Sequence, residues 1–130
     1  MTDSTPSHSP ESTADDLLLD LQNVLLRFGG DAAFAAECAE LLEAELPGMV
    51  TALHAAFAGS SPDGVSRAAH TLKGAVSNFW EQGPARTAAR IDSLARDGRL
   101  DAARPLVARL EEELTTLTAA LRGLRPRTES

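Results

Sequence analysis

In the stretch Ala68-Ala69-His70-Thr71-Leu72-Lys73-Gly74-Ala75, a histidine is followed one helical turn later by a lysine and then a glycine. Residues three and four apart are neighbours on a helix surface, so on a helix His70, Lys73 and Gly74 share one face. A neutral imidazole is a nucleophile, and with an unperturbed pKa of about 6.5 that form is available near neutral pH. An ammonium beside it can make charge-assisted hydrogen bonds to phosphoryl oxygens. A missing side chain next to both gives a bulky partner room to approach. These residue types at this spacing suit the receipt of a phosphoryl group from another protein.

A helical wheel gives the surroundings. With His70 at zero and about 100° per residue, Leu72, Val76, Phe79, Val65 and Ala69 fall on one broad apolar stripe. Ser66, Arg67, Lys73, Gly74, Ser77 and Glu81 flank the histidine on the other side. The pattern is that of an amphipathic helix with one face in a core and the other in water. His70 lies near the middle of the wet face. Gly74, which costs on the order of 1 kcal/mol in a helix interior, also lies on that side, so it reads as an access position rather than a helix–helix contact. Arg67 could add charge at the site or be a solvated residue, and Ser77 could donate a hydrogen bond.

Composition bounds the rest. The chain has 130 residues, a formal net charge of -7 and no tyrosine, and it is rich in Ala and Leu. Its length fits one domain with a real core, and its composition favours helices over strands. The acidic balance, with a pI near 4.8, argues against nucleic acid and against anionic membrane surfaces. Cys38 stands alone, which excludes an internal disulfide, suits a reducing compartment, and reads as a small core residue. Residues Met1 to Ser12 lack the apolar run of a signal peptide, and no stretch approaches membrane-spanning length. A cytoplasmic protein is expected.

The apolar spacing predicts a disordered tail over 1–13 and a short helix from Ala14 to about Phe28, carrying Leu17, Leu18, Leu21, Val24, Leu25 and Phe28 and stopped by Gly29-Gly30. Asp31 then caps a helix with apolar positions Phe34, Cys38, Leu41, Leu42 and Leu46, kinked or restarted at Pro47 and running to about Ala58. Gly59 to Asp63 is a turn. The His70 helix runs on to about Glu81, where Gly83 ends it and Pro84 starts the next. That helix points Ala85, Ala88, Ile91 and Leu94 inward and stops at Asp97-Gly98. The last helix, Asp101 to about Leu121, presents Leu106, Leu110, Leu114, Leu117 and Leu121, with Pro105 in its first turn, and residues 123–130 form a frayed tail. Short connections imply an all-α, antiparallel up-and-down four-helix bundle with one added N-terminal helix, spanning 14–122.

The run Ala69-His70-Thr71-Leu72-Lys73-Gly74 resembles the signature of histidine phosphotransfer (HPt) domains. The Leu46-Pro47-Gly48-Met49-Val50 stretch, its spacing to the histidine, and the Asp-Gly-Arg-Leu-Asp turn before the last helix are similar too, so the resemblance covers roughly Leu17 to Leu121. It implies a histidine that projects from a four-helix bundle, accepts a phosphoryl group at Nε2 from a receiver-domain aspartyl phosphate, and passes it to another receiver. Receiver domains, or a hybrid histidine kinase, are the implied partners. They would dock over the His70 helix and the neighbouring Phe34-to-Phe57 helix and would bring the Mg²⁺. Two positions depart from the family pattern. Trp80 stands where a glycine is common, and Asp92 aligns with a polar residue, commonly glutamine, that hydrogen-bonds the imidazole in some members. Asp92 could equally pair with Arg90 or Arg96, and Trp80 could either join the docking surface or pack on the adjacent turn.

Other features point nowhere further. His54 reads as a structural or surface residue, His8 lies in the tail, and the three histidines lack metal-ligand spacing. Glu111-Glu112-Glu113 reads as a solvated helix face. There is no phosphate-cradling loop and no carboxylate cluster of metal-ligand type, so no cofactor of its own is expected. The chain is expected to be a monomeric phosphocarrier and not a kinase. The competing reading is a helical adaptor that binds a receiver or kinase without carrying phosphate.

Overall fold

Asp31 opens the first helix, its carboxylate accepting the Phe34 amide at 2.9 Å and so satisfying one of the amides a helix start leaves unpaired. The computed structural model describes Gly29 and residues 31–122. The tails predicted over 1–13 and 123–130, and the helix predicted over Ala14–Phe28, lie outside those residues.

Helix α1 spans Ala32–Ala58 as one element with Pro47 inside it. Its buried seam is Ala35, Ala36, Ala39, Leu42, Leu46, Leu53 and Phe57. Phe34 and Leu41, expected among the core positions, are instead 49% and 65% exposed. Alanines make the close approach along this part of α1, and the two large side chains lie off that line.

Ser61 caps α2, Pro62–Val76, by accepting the Gly64 amide at 2.9 Å, with Pro62 in the first turn. Val65, Ala69, Leu72 and Val76 are its buried stripe. The helix ends at Val76, five residues short of the expected Glu81. The carbonyl of Val76 accepts both the Phe79 and Trp80 amides, and the Ser77 hydroxyl donates back to the Lys73 carbonyl. The chain then turns so that Phe79 and Trp80 both enter the core. Periodicity alone cannot separate this turn from another turn of helix, because both bury an apolar residue there.

A short kinked segment, Glu81–Ala85, leads into α3, Arg86–Arg96, with Gly83 out of helical conformation. Gly98, at φ +75°, follows the end of α3. Helix α4 spans Leu100–Arg122 and buries Ala103, Val107, Leu110, Leu114, Leu117 and Leu121. The described residues are all-helical, with four helices and no strand. Contacts join α1 to α2, α2 to α3, α3 to α4 and α1 to α4 around a shared apolar core.

Of the two readings of Trp80, docking surface or packing on the adjacent turn, the structure has the second, because the side chain is 1% exposed. One expectation for a single residue changes. Glu113 is not on a solvated face. It is buried, accepting the Thr87 hydroxyl at 2.6 Å, with Arg109 Nε 3.4 Å away. Glu111 is half-buried and meets His54 Nε2 at 2.6 Å, tying α4 to α1.

Candidate functional site

The apolar stripe of α2 turns Val65, Ala69, Leu72 and Val76 inward, and that alone directs residue 70 outward. The His70 side chain is 72% exposed. Lys73 and Gly74 are exposed on the same helix and, three and four residues on, flank the imidazole. Lys73 carries no ion pair among the described residues, so its ammonium is available to an incoming anion. A β-carbon added at Gly74 would meet nothing within 4 Å. Among the described residues nothing calls for a glycine here, and the gap lies beside the His70 imidazole.

The expected supporting residues separate. Arg67 pairs with Asp63 on its own helix at 2.8 Å, both side chains highly exposed, which makes it part of a solvated pair of small energetic weight. Ser77 spends its hydroxyl on the Lys73 carbonyl. Asp92 of α3 lies beside the histidine, with Oδ2 3.7 Å from His70 Nδ1. Arg96, one of its two expected alternatives, is present as well, with Nε 3.3 Å from Oδ1. Sequence spacing did not single out Ser66, whose hydroxyl donates to Asp92 Oδ1 at 2.5 Å. Its position four residues before His70 was the signal, legible only once the neighbour across the α2–α3 contact is known.

Trp80 has no part in this face. The indole is enclosed beneath the turn after α2, against Gly83, so this departure from the family pattern leaves the surface around His70 untouched. Among the described residues no group of three or more His, Cys, Asp or Glu is arranged to hold a metal ion, and no helix is long and apolar enough to cross a membrane.

The arrangement offers an accessible imidazole, a free cation one turn away, a cleared approach and a carboxylate near the second ring nitrogen. No curated protein and no solved structure matches the chain. A family model described as Hpt domain matches residues 37–120, a span that holds His70, Lys73, Gly74 and Asp92 and well over half of the chain. The chain therefore belongs to the Hpt family, whose members are phosphocarriers that act through a histidine in two-component phosphorelays.

Proposed function

We propose that this chain accepts a phosphoryl group on His70 from the aspartyl phosphate of a receiver domain and delivers it to the aspartate of another receiver. The observation that carries this is the imidazole of His70, 72% exposed and opposite the buried stripe of its helix. In the transfer, the Nε2 lone pair attacks phosphorus in line. The phosphorus–oxygen bond to the aspartate breaks, and the carboxylate leaves with the electron pair. Lys73 offsets charge on the phosphoryl oxygens, Gly74 admits the partner, and Asp92 faces the second ring nitrogen.

The receiver would seat over the exposed face of α2 and the adjoining face of α1 and would bring the Mg²⁺ that transfer needs. This chain then needs no cofactor or kinase machinery and works as a cytoplasmic monomer. The ring of contacts from α1 through α4 and the short connections favour an antiparallel up-and-down bundle. Arg67 and Ser77, each engaged locally, stay outside the reaction.

The test is transfer from a phosphorylated receiver. The expected product is an acid-labile, alkali-stable phosphate on His70, absent from His70→Gln, with helical content and melting temperature unchanged. Surface substitutions away from packed features stay within about 0.5 kcal/mol, so loss of label would be a chemical effect. Receiver binding without phosphate on His70 would instead establish the adaptor reading.

A further inference from the structure

Asp92 is 6% exposed, and a carboxylate so placed persists as an ion only when it is paired and hydrogen-bonded. Its two oxygens are engaged differently. Oδ1 accepts from the Ser66 hydroxyl at 2.5 Å and lies 3.3 Å from Arg96 Nε. Oδ2 has only longer approaches, from Arg96 Nη2 at 3.5 Å and His70 Nδ1 at 3.7 Å. One oxygen is therefore pinned from two directions, by α2 through Ser66 and by α3's own next turn through Arg96. The other is left turned toward the imidazole.

We propose that Ser66 and Arg96 are positioning residues. They hold the Asp92 carboxylate so that Oδ2 keeps His70 in the Nδ1–H tautomer, with Nε2 as the nucleophile. The proposal rests on the phosphocarrier reading above, in which Asp92 faces the second ring nitrogen, and adds to it the two residues that hold that carboxylate in place. A hydrogen bond from an N–H to oxygen spans about 2.7–3.2 Å, so the ring must close by a fraction of an ångström. The exposed His70 side chain is free to make that rotation, and hydrogen bonds in unliganded sites are often long until the partner binds.

The chemistry gives the arrangement its purpose. Attack through Nε2 leaves the proton on Nδ1 and places positive charge on the ring as the phosphorus–nitrogen bond forms. A fixed carboxylate next to Nδ1 meets that charge where it develops. Arg96 is exposed but its partner carboxylate is buried, so freeing Asp92 also costs stability, and thermal unfolding measures that cost apart from the tautomer ratio.

The experiment uses the full chain labelled with ¹⁵N-histidine, with long-range proton–nitrogen correlation at alkaline pH and assignment by His70→Gln. Wild type should show His70 protonated at Nδ1. Asp92→Ala should lose that preference. A Ser66→Ala, Arg96→Met double variant, which keeps the carboxylate but frees it, should move the tautomer ratio about tenfold toward Nε2–H, the order set by one hydrogen bond to a charged group. Circular dichroism checks the fold of each variant. A wild-type ring protonated at Nε2, or a double variant with the wild-type ratio, overturns the proposal.

Phosphorylation by receiver domains loaded with a small-molecule phosphodonor separates the two readings. A labelled His70 with an insensitive tautomer ratio sinks the positioning role alone. A locked tautomer on an unlabelled His70 sinks the carrier role alone.

Discussion

The indole of Trp80 lies against the backbone of Gly83: a β-carbon at position 83 would stand 2.5 Å from ring carbon Cε2 and 2.7 Å from Cδ2. Real carbon–carbon contacts are never so short, and a buried indole held on all sides cannot step away. Glycine is required here by the neighbour's ring. The pair packs the turn after α2, where the Val76 carbonyl accepts the Phe79 and Trp80 amides and the indole is buried against Gly83.

Gly83→Ala should therefore destabilise the fold by about 1–3 kcal/mol, the usual cost of forcing extra volume into a packed interior. Trp80→Ala should cost about 3–5 kcal/mol. In the Trp80→Ala background the alanine at 83 should cost much less, because the clashing ring has gone. Denaturant unfolding of the four species as a double-mutant cycle measures that coupling, and additive losses would show that the contact carries no energy.

Gly74 should behave in the opposite way. A β-carbon there meets nothing within 4 Å among the described residues, and leucine is a far better helix former than glycine, by roughly 0.5–1 kcal/mol. Gly74→Leu should raise the melting temperature while slowing phosphoryl transfer at least about tenfold, the equivalent of 1.4 kcal/mol on the barrier. Calorimetry paired with transfer kinetics checks both signs. Unchanged transfer would remove Gly74 from the docking surface.

Lys73→Ala removes an exposed cation that has no ion pair among the described residues. Stability should change by no more than about 0.5 kcal/mol. Transfer should fall about ten- to a hundredfold, the range for losing a hydrogen bond to a charged group. Rapid-quench transfer from a phosphorylated receiver is the measurement. A lowered melting temperature with normal transfer would contradict the assignment.

The buried pair between Thr87 and Glu113 gives a stability prediction independent of the site. Glu113→Ala leaves the Thr87 hydroxyl enclosed without an acceptor and should cost about 1–3 kcal/mol. Thr87→Val with Glu113→Leu removes both polar groups and should recover most of that loss. Thermal unfolding of the single and double variants decides it.

Much of this was legible along the chain. The stripe on α2 that turns His70 outward is a strong periodic signal, and Asp31 and Gly98 mark element ends by the conformations their side chain or backbone favours. The end of α2 was not legible, because Phe79 and Trp80 sit where either a helix or a turn would bury one of them. Glu113 was misread for a similar reason. It stands in a run of three acids, and its partner Thr87 is distant in sequence, so the local pattern gives no hint of burial. On α1 the weight given to Phe34 and Leu41 hid a seam of alanines, whose small side chains leave a faint apolar signal while permitting the closest packing.

The four helices keep folding and reactivity on opposite sides of α2, with Asp92 as the exception. It is enclosed like a core residue, yet its Oδ2 stands 3.7 Å from the His70 ring. Lys73 and Gly74 are exposed, so changes there leave the scaffold intact. At position 92 the two demands cannot be separated, so a change there must satisfy architecture and reactivity together, and its neighbours at 66 and 96 are constrained along with it.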